Sequence, residues 1–342
     1  MNNSTGSNDT ELSLSDVEVW LRAVHGCVVG VLLGFSLVGN GIALFLICRY
    51  KQLHYRSIIV TVGLMVVDLL MPVFLHLPTL ASIIAGMWPF GDIGCTILGY
   101  VLLCLLQVRW LEMTVVVLDR FLVIVFPFFY MRWSKHILIA LTVAAWLIPI
   151  AVSFPAAVGF GRFTFRITTT ICAVFCGEDP TCFYFYVVQF SLFVCVGGLL
   201  PTGLYFILYC IGRRKSGASI WRLGTHTSDT ATRGSRADRR NSILSFQTAR
   251  DRRATVTFAI IFFALLVTQL PVLIFSTTRR LDFYRCIPIY VHFIVIDIFL
   301  ISPALDPIVI MRNRDFRNAM ARMLGRHRSE ASRSSSSPST AL

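Results

Sequence analysis

Seven apolar stretches, each long enough to cross a bilayer, decide what this chain can fold into. They fall at 24–48, 58–86, 95–124, 137–159, 184–211, 254–277 and 288–311. A helix rises about 1.5 Å per residue and the hydrocarbon layer is roughly 30 Å thick, so about 20 apolar residues make one crossing. Backbone groups in lipid have no water to bond, which leaves only helices and closed barrels as spanning structures. These stretches are too long, and alternate too little, for barrel strands, so helices are expected. With 56% hydrophobic and 14% charged residues and a mean hydropathy of +0.71, the chain lies far from soluble composition. The expected fold is an all-α membrane protein, a bundle of seven transmembrane helices.

An odd number of crossings puts the two ends on opposite sides. One set of connecting segments, Arg49 to Arg56, Arg132 to Lys135, Arg213 to Arg253 and the tail from Arg312, holds 23 basic residues; the other set holds six. Basic residues stay on the cytoplasmic side, so the amino terminus is expected outside and the carboxyl terminus inside, in a multi-pass protein of the plasma membrane. The net charge of +13 is then a property of the cytoplasmic face, suited to anionic lipid and partner proteins, and nucleic-acid binding is excluded as a reading. Residues 1–22 are polar, read as an extracellular tail without a signal peptide, and Asn2, Asn3 and Asn8 head glycosylation sequons within it.

Residues 23–325 form the expected seven-helix domain. Within it, 212–253 is basic, Ser/Thr-rich and without apolar periodicity, read as a mostly disordered third cytoplasmic loop. Residues 313–325 read as a short amphipathic eighth helix, with Phe316, Met320, Met323 and Leu324 on one face and arginines on the other. Residues 326–342 form a disordered, Ser-rich cytoplasmic tail ending in Thr340-Ala341-Leu342, a weak match to peptides that add a strand to PDZ-type modules. Four cysteines, Cys95, Cys172, Cys176 and Cys182, lie toward the outer face in an oxidising compartment. Spacing does not fix their pairing; Cys95 with Cys172 and Cys176 with Cys182 is the preferred arrangement. The β-branched and aromatic run Phe163 to Cys176 suits a short hairpin over the bundle.

Polar residues inside the spans carry the functional signal, because a charge in hydrocarbon costs at least a few kcal/mol and faces protein or water. The third span holds Arg109 and Glu112 near its middle and Asp119-Arg120 at its end; Asn40, Asp68, Asp297 and Asp306 lie in other spans. Gly39-Asn40, Asp68, Trp88 with Cys95, Asp119-Arg120, Trp146, Pro201 with Tyr209, Pro271, and Asp306-Pro307 followed by Phe316 occur in order, one set per helix. In this order the sequence resembles the rhodopsin-like family of seven-helix G-protein-coupled receptors over about residues 20–325.

The resemblance implies that Arg120 is held by Asp119 at rest and on activation helps form the floor of a G-protein cavity. It places Asp251 as a second resting partner and Tyr209 as the tyrosine that stabilises the open state, with Asp306 and Pro307 in the switch of the seventh helix. Heterotrimeric G protein is the implied partner, with arrestin and receptor kinases acting on the Ser-rich tail. The sequence also departs from the family. The sixth helix reads Thr268-Gln269-Leu270-Pro271 without the usual tryptophan, and Asp306-Pro307-Ile308-Val309-Ile310 lacks the terminal tyrosine. Coupling could therefore be altered, and a non-coupling or decoy protein is the alternative.

Arg109 stands where the family usually has a small polar residue that helps, with the aspartate of the second helix, to surround a sodium ion. An arginine there is expected to reach Asp68 and Asp306, forming an intramembrane cluster with Asn40 in which the guanidinium replaces the ion. Leu102 replaces the aspartate that holds an amine, so an aminergic ligand is disfavoured. The expected pocket is apolar at Leu102, Leu103, Leu106, Phe193, Val272, Leu273 and Ile296, with Gln107 and Gln269 deeper and a cationic rim of Arg279, Arg280 and His292. Apolar walls under a cationic rim suit a lipid carboxylate or a peptide. No nucleophile motif or metal-spaced ligand set is present and no cofactor is implied, so an enzyme is not expected; a transporter is disfavoured because the chain lacks repeated halves.

Overall fold

The computed structural model describes residues 17–53, 58–132, 135–176, 179–222, 236–278 and 287–324; of these, 52, 131, 212–222, 236–252 and 276–278 are described as backbone only. Seven helices are long and apolar enough to cross a membrane. We label them α1 (Val19–Arg49), α2 (Ile58–Ala85), α3 (Gly91–Val125), α4 (Lys135–Ala157), α5 (Pro180–Ile211), α6 (Arg236–Thr278) and α7 (Ile289–Met311). A hairpin, β1 (Arg162–Arg166) and β2 (Ile171–Phe175), joins α4 to α5, and α8 (Arg314–Met323) follows α7.

The helices run further than the apolar stretches. The α5 segment stays helical to Arg222 and α6 begins at Arg236, so residues 212–222 and 236–253, read above as loop, are helix. Elongating an existing helix adds a hydrogen bond per residue fixed, whereas nucleation is the costly step, so polar segments extend helices already formed.

α3 and α7 occupy the centre, each with 67% of its apolar window buried, against 28% for α1 and 22% for α4 at the periphery. Prolines shape the inner faces. Pro307 supplies no amide hydrogen for the Pro303 carbonyl, and Pro72 supplies none for that of Asp68. Asn40 of α1 donates to both, at 2.8 Å and 3.5 Å, and so uses the two proline-freed carbonyls to tie α1 to α7 and α2. Wide π-type turns interrupt α2 at Pro72–His76 and α5 at Cys195–Leu199. In the second of these the Val196 carbonyl shares the Thr114 hydroxyl of α3, at 3.1 Å, with the Trp110 carbonyl of α3 itself, at 2.9 Å, while the Trp110 side chain presses against Gly197.

The hairpin lies on the amino-terminal end of α3, the end of the bundle we call outer. Its strands pair Arg162 with Phe175 through Arg166 with Ile171, and disulfides join Cys95 to Cys172 and Cys176 to Cys182. At Gly99 a Cβ would stand 2.4 Å from the Phe163 ring and 3.2 Å from the Cys172 carbonyl, so only glycine admits so close an approach. At the opposite end, Asn313 caps α8 by accepting from the Asp315 amide at 3.0 Å. Phe316 and Ala319 of α8 are buried, Met320 is half-buried, and Met323 and Leu324 remain outside.

Candidate functional site

Buried polar side chains lie along α3 at its middle and at its inner end. The middle station is a buried ion cluster. Arg109 Nη2 lies 2.5 Å from Asp306 Oδ2 of α7 and 3.3 Å from Asp68 Oδ1 of α2, and all three side chains are at most 1% exposed. Asn40 bonds the Asp68 and Pro303 carbonyls beside them, and His76, near Arg109, bonds the Leu300 carbonyl through Nε2 at 3.0 Å. One guanidinium between two carboxylates lowers the cost of burying both. Removing the guanidinium would leave both carboxylates without a counter-ion, at about 3–5 kcal/mol.

Glu112, one turn further in, is not part of that cluster. It is fully buried, its carboxyl lies against α2 where a Cβ on Gly63 would meet it at 2.7 Å, and Trp146 of α4 turns its indole toward it. Neither Glu112 oxygen has a hydrogen-bond partner among the described residues. A larger residue at 63 would collide with the carboxyl, so glycine is what allows α2 and α3 to enclose it.

The inner station is a latch. Arg120 Nη2 lies 2.6 Å from Asp119 Oδ2, both side chains are buried, and the Tyr130 hydroxyl donates to Asp119 Oδ1 at 2.7 Å. Tyr130 belongs to the short helix Pro127–Arg132, which folds back under α3. The Phe258 ring of α6 lies 5.8 Å from the Arg120 guanidinium, and Tyr205 of α5 is close enough to feel its charge. Tyr205 is 6% exposed and packs on Phe262, whereas Tyr209 is 60% exposed on the outer surface of the bundle. In this structure Tyr205 and Tyr130 are tyrosines beside the latch. The side chain of Asp251 lies outside the described residues.

In the outer half, Leu102, Phe193, His292 and Ile296 are buried, and Leu103, Leu106, Gln269, Val272 and Leu273 are half-buried. His292, in the first turn of α7, packs edge-on against Phe275 and bonds the Pro288 carbonyl at 3.2 Å. Arg279 and Arg280 lie outside the described residues, as do Asn2, Asn3, Asn8 and the tail from 325. A contact the sequence did not reveal closes the outer end of α1: His25 Nδ1 meets Asp297 Oδ1 at 2.8 Å, and Phe293 stacks on its ring at 4.6 Å.

These features fall together in one family. The profile described as "7 transmembrane receptor (rhodopsin family)" matches residues 39–309, and the chain belongs to that family. It is 24% identical to a D(1)-like dopamine receptor of Oreochromis mossambicus, over 89% of this chain and 79% of that one. It is 25% identical to neuropeptide FF receptor 2 of Mus musculus, over 56% of this chain and 46% of that one. Squid rhodopsin has the same fold, with a TM-score of 0.76 at 16% identity over 90% of this chain and 87% of that one. The protein is therefore a multi-pass membrane protein of a receptor family whose members are not enzymes.

Proposed function

We propose that the protein is a ligand-gated receptor of the plasma membrane, amino terminus outside, that activates heterotrimeric G proteins through the inner end of α3. The Asp119–Arg120 ion pair carries the reading. A guanidinium with five donors can exchange its carboxylate for carbonyls and hydroxyls when the inner end opens, which is the property a releasable latch needs. The ligand is a lipid carboxylate or a peptide. Leu102 offers no charge to an ammonium, so the likeness to a dopamine receptor does not extend to an amine. Arg109 takes the place of the ion that relatives hold, leaving the Asp68–Asp306 site insensitive to sodium. The Ser-rich tail would serve receptor kinases and arrestin, and Thr340-Ala341-Leu342 a PDZ-type module.

Purified receptor with a G-protein panel and labelled nucleotide tests the coupling. Arg120→Ala should abolish receptor-dependent exchange. A second reading, a seven-helix protein that does not couple, is favoured by the altered switch helices. Thr268 bonds only carbonyls of its own helix, at 2.9 Å and 3.1 Å, and Ile310 is buried where a relay tyrosine is usual. Exchange that is indifferent to Arg120 with every G protein and every stimulus would establish that second reading.

A further inference from the structure

A chain of neutral hydrogen bonds crosses the bundle wall where α3, α4 and α5 meet. Ser153 Oγ of α4 donates to Gln107 Oε1 of α3 at 3.1 Å and accepts from Gln189 Nε2 of α5 at 3.2 Å. The three side chains are 0%, 7% and 4% exposed, for Ser153, Gln107 and Gln189. A hydroxyl has one proton, so the chain is polarised and its two ends are left over. Gln189 Oε1 is buried without a partner among the described residues, and the Gln107 amide nitrogen donates to none of them. Turning both amides over reverses the chain, after which the α5 end offers N–H and the α3 end offers C=O. In either sense one end accepts and the other donates.

The chain lies one helical turn beneath a roof. Leu103, Ala156 and Tyr186 precede or follow the three residues by three or four positions, and they pack with Phe163, Cys172 and Val174 of the hairpin. Phe193, buried one turn below Gln189, closes the lower side. None of the three relay side chains can ionise. The nearest charge along α3, Arg109, is two residues from Gln107 and therefore on another face of the helix, where Asp68 and Asp306 engage it. A carboxylate or ammonium entering here would be buried without a counter-ion, which is strongly unfavourable. A group that donates and accepts while carrying no charge fits both ends.

We propose that Gln107, Ser153 and Gln189 form a neutral amide-reading subsite that takes a backbone or side-chain amide of a peptide ligand. This rests on the reading above that the outer half of the bundle holds the ligand, and it selects the peptide over the lipid carboxylate. An amide fits because its N–H satisfies the orphan acceptor on Gln189 while its carbonyl accepts from the opposite end. Ser153 acts as a positioning residue that fixes the polarity of the two amides.

The test uses full-length receptor in lipid nanodiscs, read by thermal melting so that no G protein is needed. The probes are a library of N-acetylated, C-amidated short peptides, the matched compounds with single amides replaced by esters, and a panel of fatty acids. We expect peptide hits in the parent receptor. Replacing the recognised amide by an ester removes one donor and should weaken binding about tenfold. That discrimination should vanish in Gln189→Leu, and also in Ser153→Ala, which keeps both amides and guards against a folding defect in the first variant. Ligand-free Gln189→Leu loses the neutral bond to Ser153 together with the unpaired buried oxygen, so its melting temperature should stay close to the parent's. Stabilisation by fatty acids alone, no peptide hit, or an ester effect that is equal in parent and variant overturns the proposal. Binding that persists without nucleotide exchange would count against coupling and leave the subsite standing.

Discussion

Charge counting in the Arg109 cluster makes an asymmetric prediction. With both aspartates ionised the site carries one positive and two negative charges, all at most 1% exposed. Arg109→Ala leaves two carboxylates buried without a cation, the worst case for desolvation. Stranding a buried charge costs about 3–5 kcal/mol. At about 2 °C or somewhat less per kcal/mol for a bundle of this size, the melting temperature should fall by roughly 5–10 °C. Asp306→Asn instead leaves Arg109 against Asp68 at 3.3 Å, a balanced pair, and should cost about 1–2 kcal/mol, most of it the lost charge-assisted hydrogen bond. Adding Asp306→Asn to Arg109→Ala should recover part of the loss, and adding Asp68→Asn as well should recover most of it. The assay is thermal melting of the purified receptor across the set, analysed as a mutant cycle. Sodium supplies a second readout. Arg109→Ser opens the space between the carboxylates, so its stability should rise with sodium while the parent's does not. The reasoning fails if Asp306→Asn destabilises as much as Arg109→Ala, or if Arg109→Ser neither loses stability nor gains a sodium response.

Other contacts make independent predictions. Tyr130→Phe removes the hydroxyl that holds Asp119 at 2.7 Å, and basal nucleotide exchange should rise several-fold, by about the 1.5 kcal/mol of a bond to a charged acceptor; an unchanged basal rate would remove Tyr130 from the latch. Gly63→Ala places a methyl group 2.7–2.9 Å from the Glu112 carboxyl and should destabilise by about 1–3 kcal/mol, with melting partly restored by Glu112→Ala. Reduced Cys95–Cys172, closing a separation of 77 residues, should cost about 4 kcal/mol and most surface expression, as measured by antibody labelling of intact cells. Loss of Cys176–Cys182, with a separation of 6, should cost less in the same assay.

The features legible in the sequence were those with a strong local penalty. Spans were visible because lipid enforces length and apolarity, and Arg109 was visible because a buried arginine must find a partner. Its partners could be narrowed because few residues at that depth carry opposite charge. What stayed hidden depends on helix rotation and on distant pairing. Which α5 tyrosine faces inward follows from the azimuth of the helix below the wide turn at Cys195–Leu199, and hydropathy does not record that turn. His25 is an ordinary histidine in an apolar run until α7 brings Asp297 beside it, 272 positions away. Gln189 and Ser153 were likewise invisible, since isolated neutral polar residues are common in membrane helices and only their meeting with Gln107 gives them meaning.

The arrangement along α3 bears on how a signal could cross the bundle. Arg109 and Arg120 are eleven residues apart, about 16 Å along one helix and nearly on one face. The first is held by α2 and α7, while the second is held by its neighbour Asp119, which Tyr130 of the helix that follows holds in turn. Between them Trp110 and Thr114 grip the wide turn of α5, and Glu112 is enclosed by α2 and α4. A movement of α5 at the outer side therefore has a polar handle on α3 at the depth of the ion cluster, without the missing tryptophan of α6. Because Thr114 donates to a carbonyl that the regular helix leaves exposed at the wide turn, this handle can be broken without disturbing either ion cluster. Thr114→Val keeps the branched shape and removes the hydroxyl bond. If α5 drives α3, agonist-stimulated exchange should fall severalfold in Thr114→Val while the melting temperature and the effect of Arg109→Ala stay as they are. Unchanged stimulated exchange would place the drive on another helix.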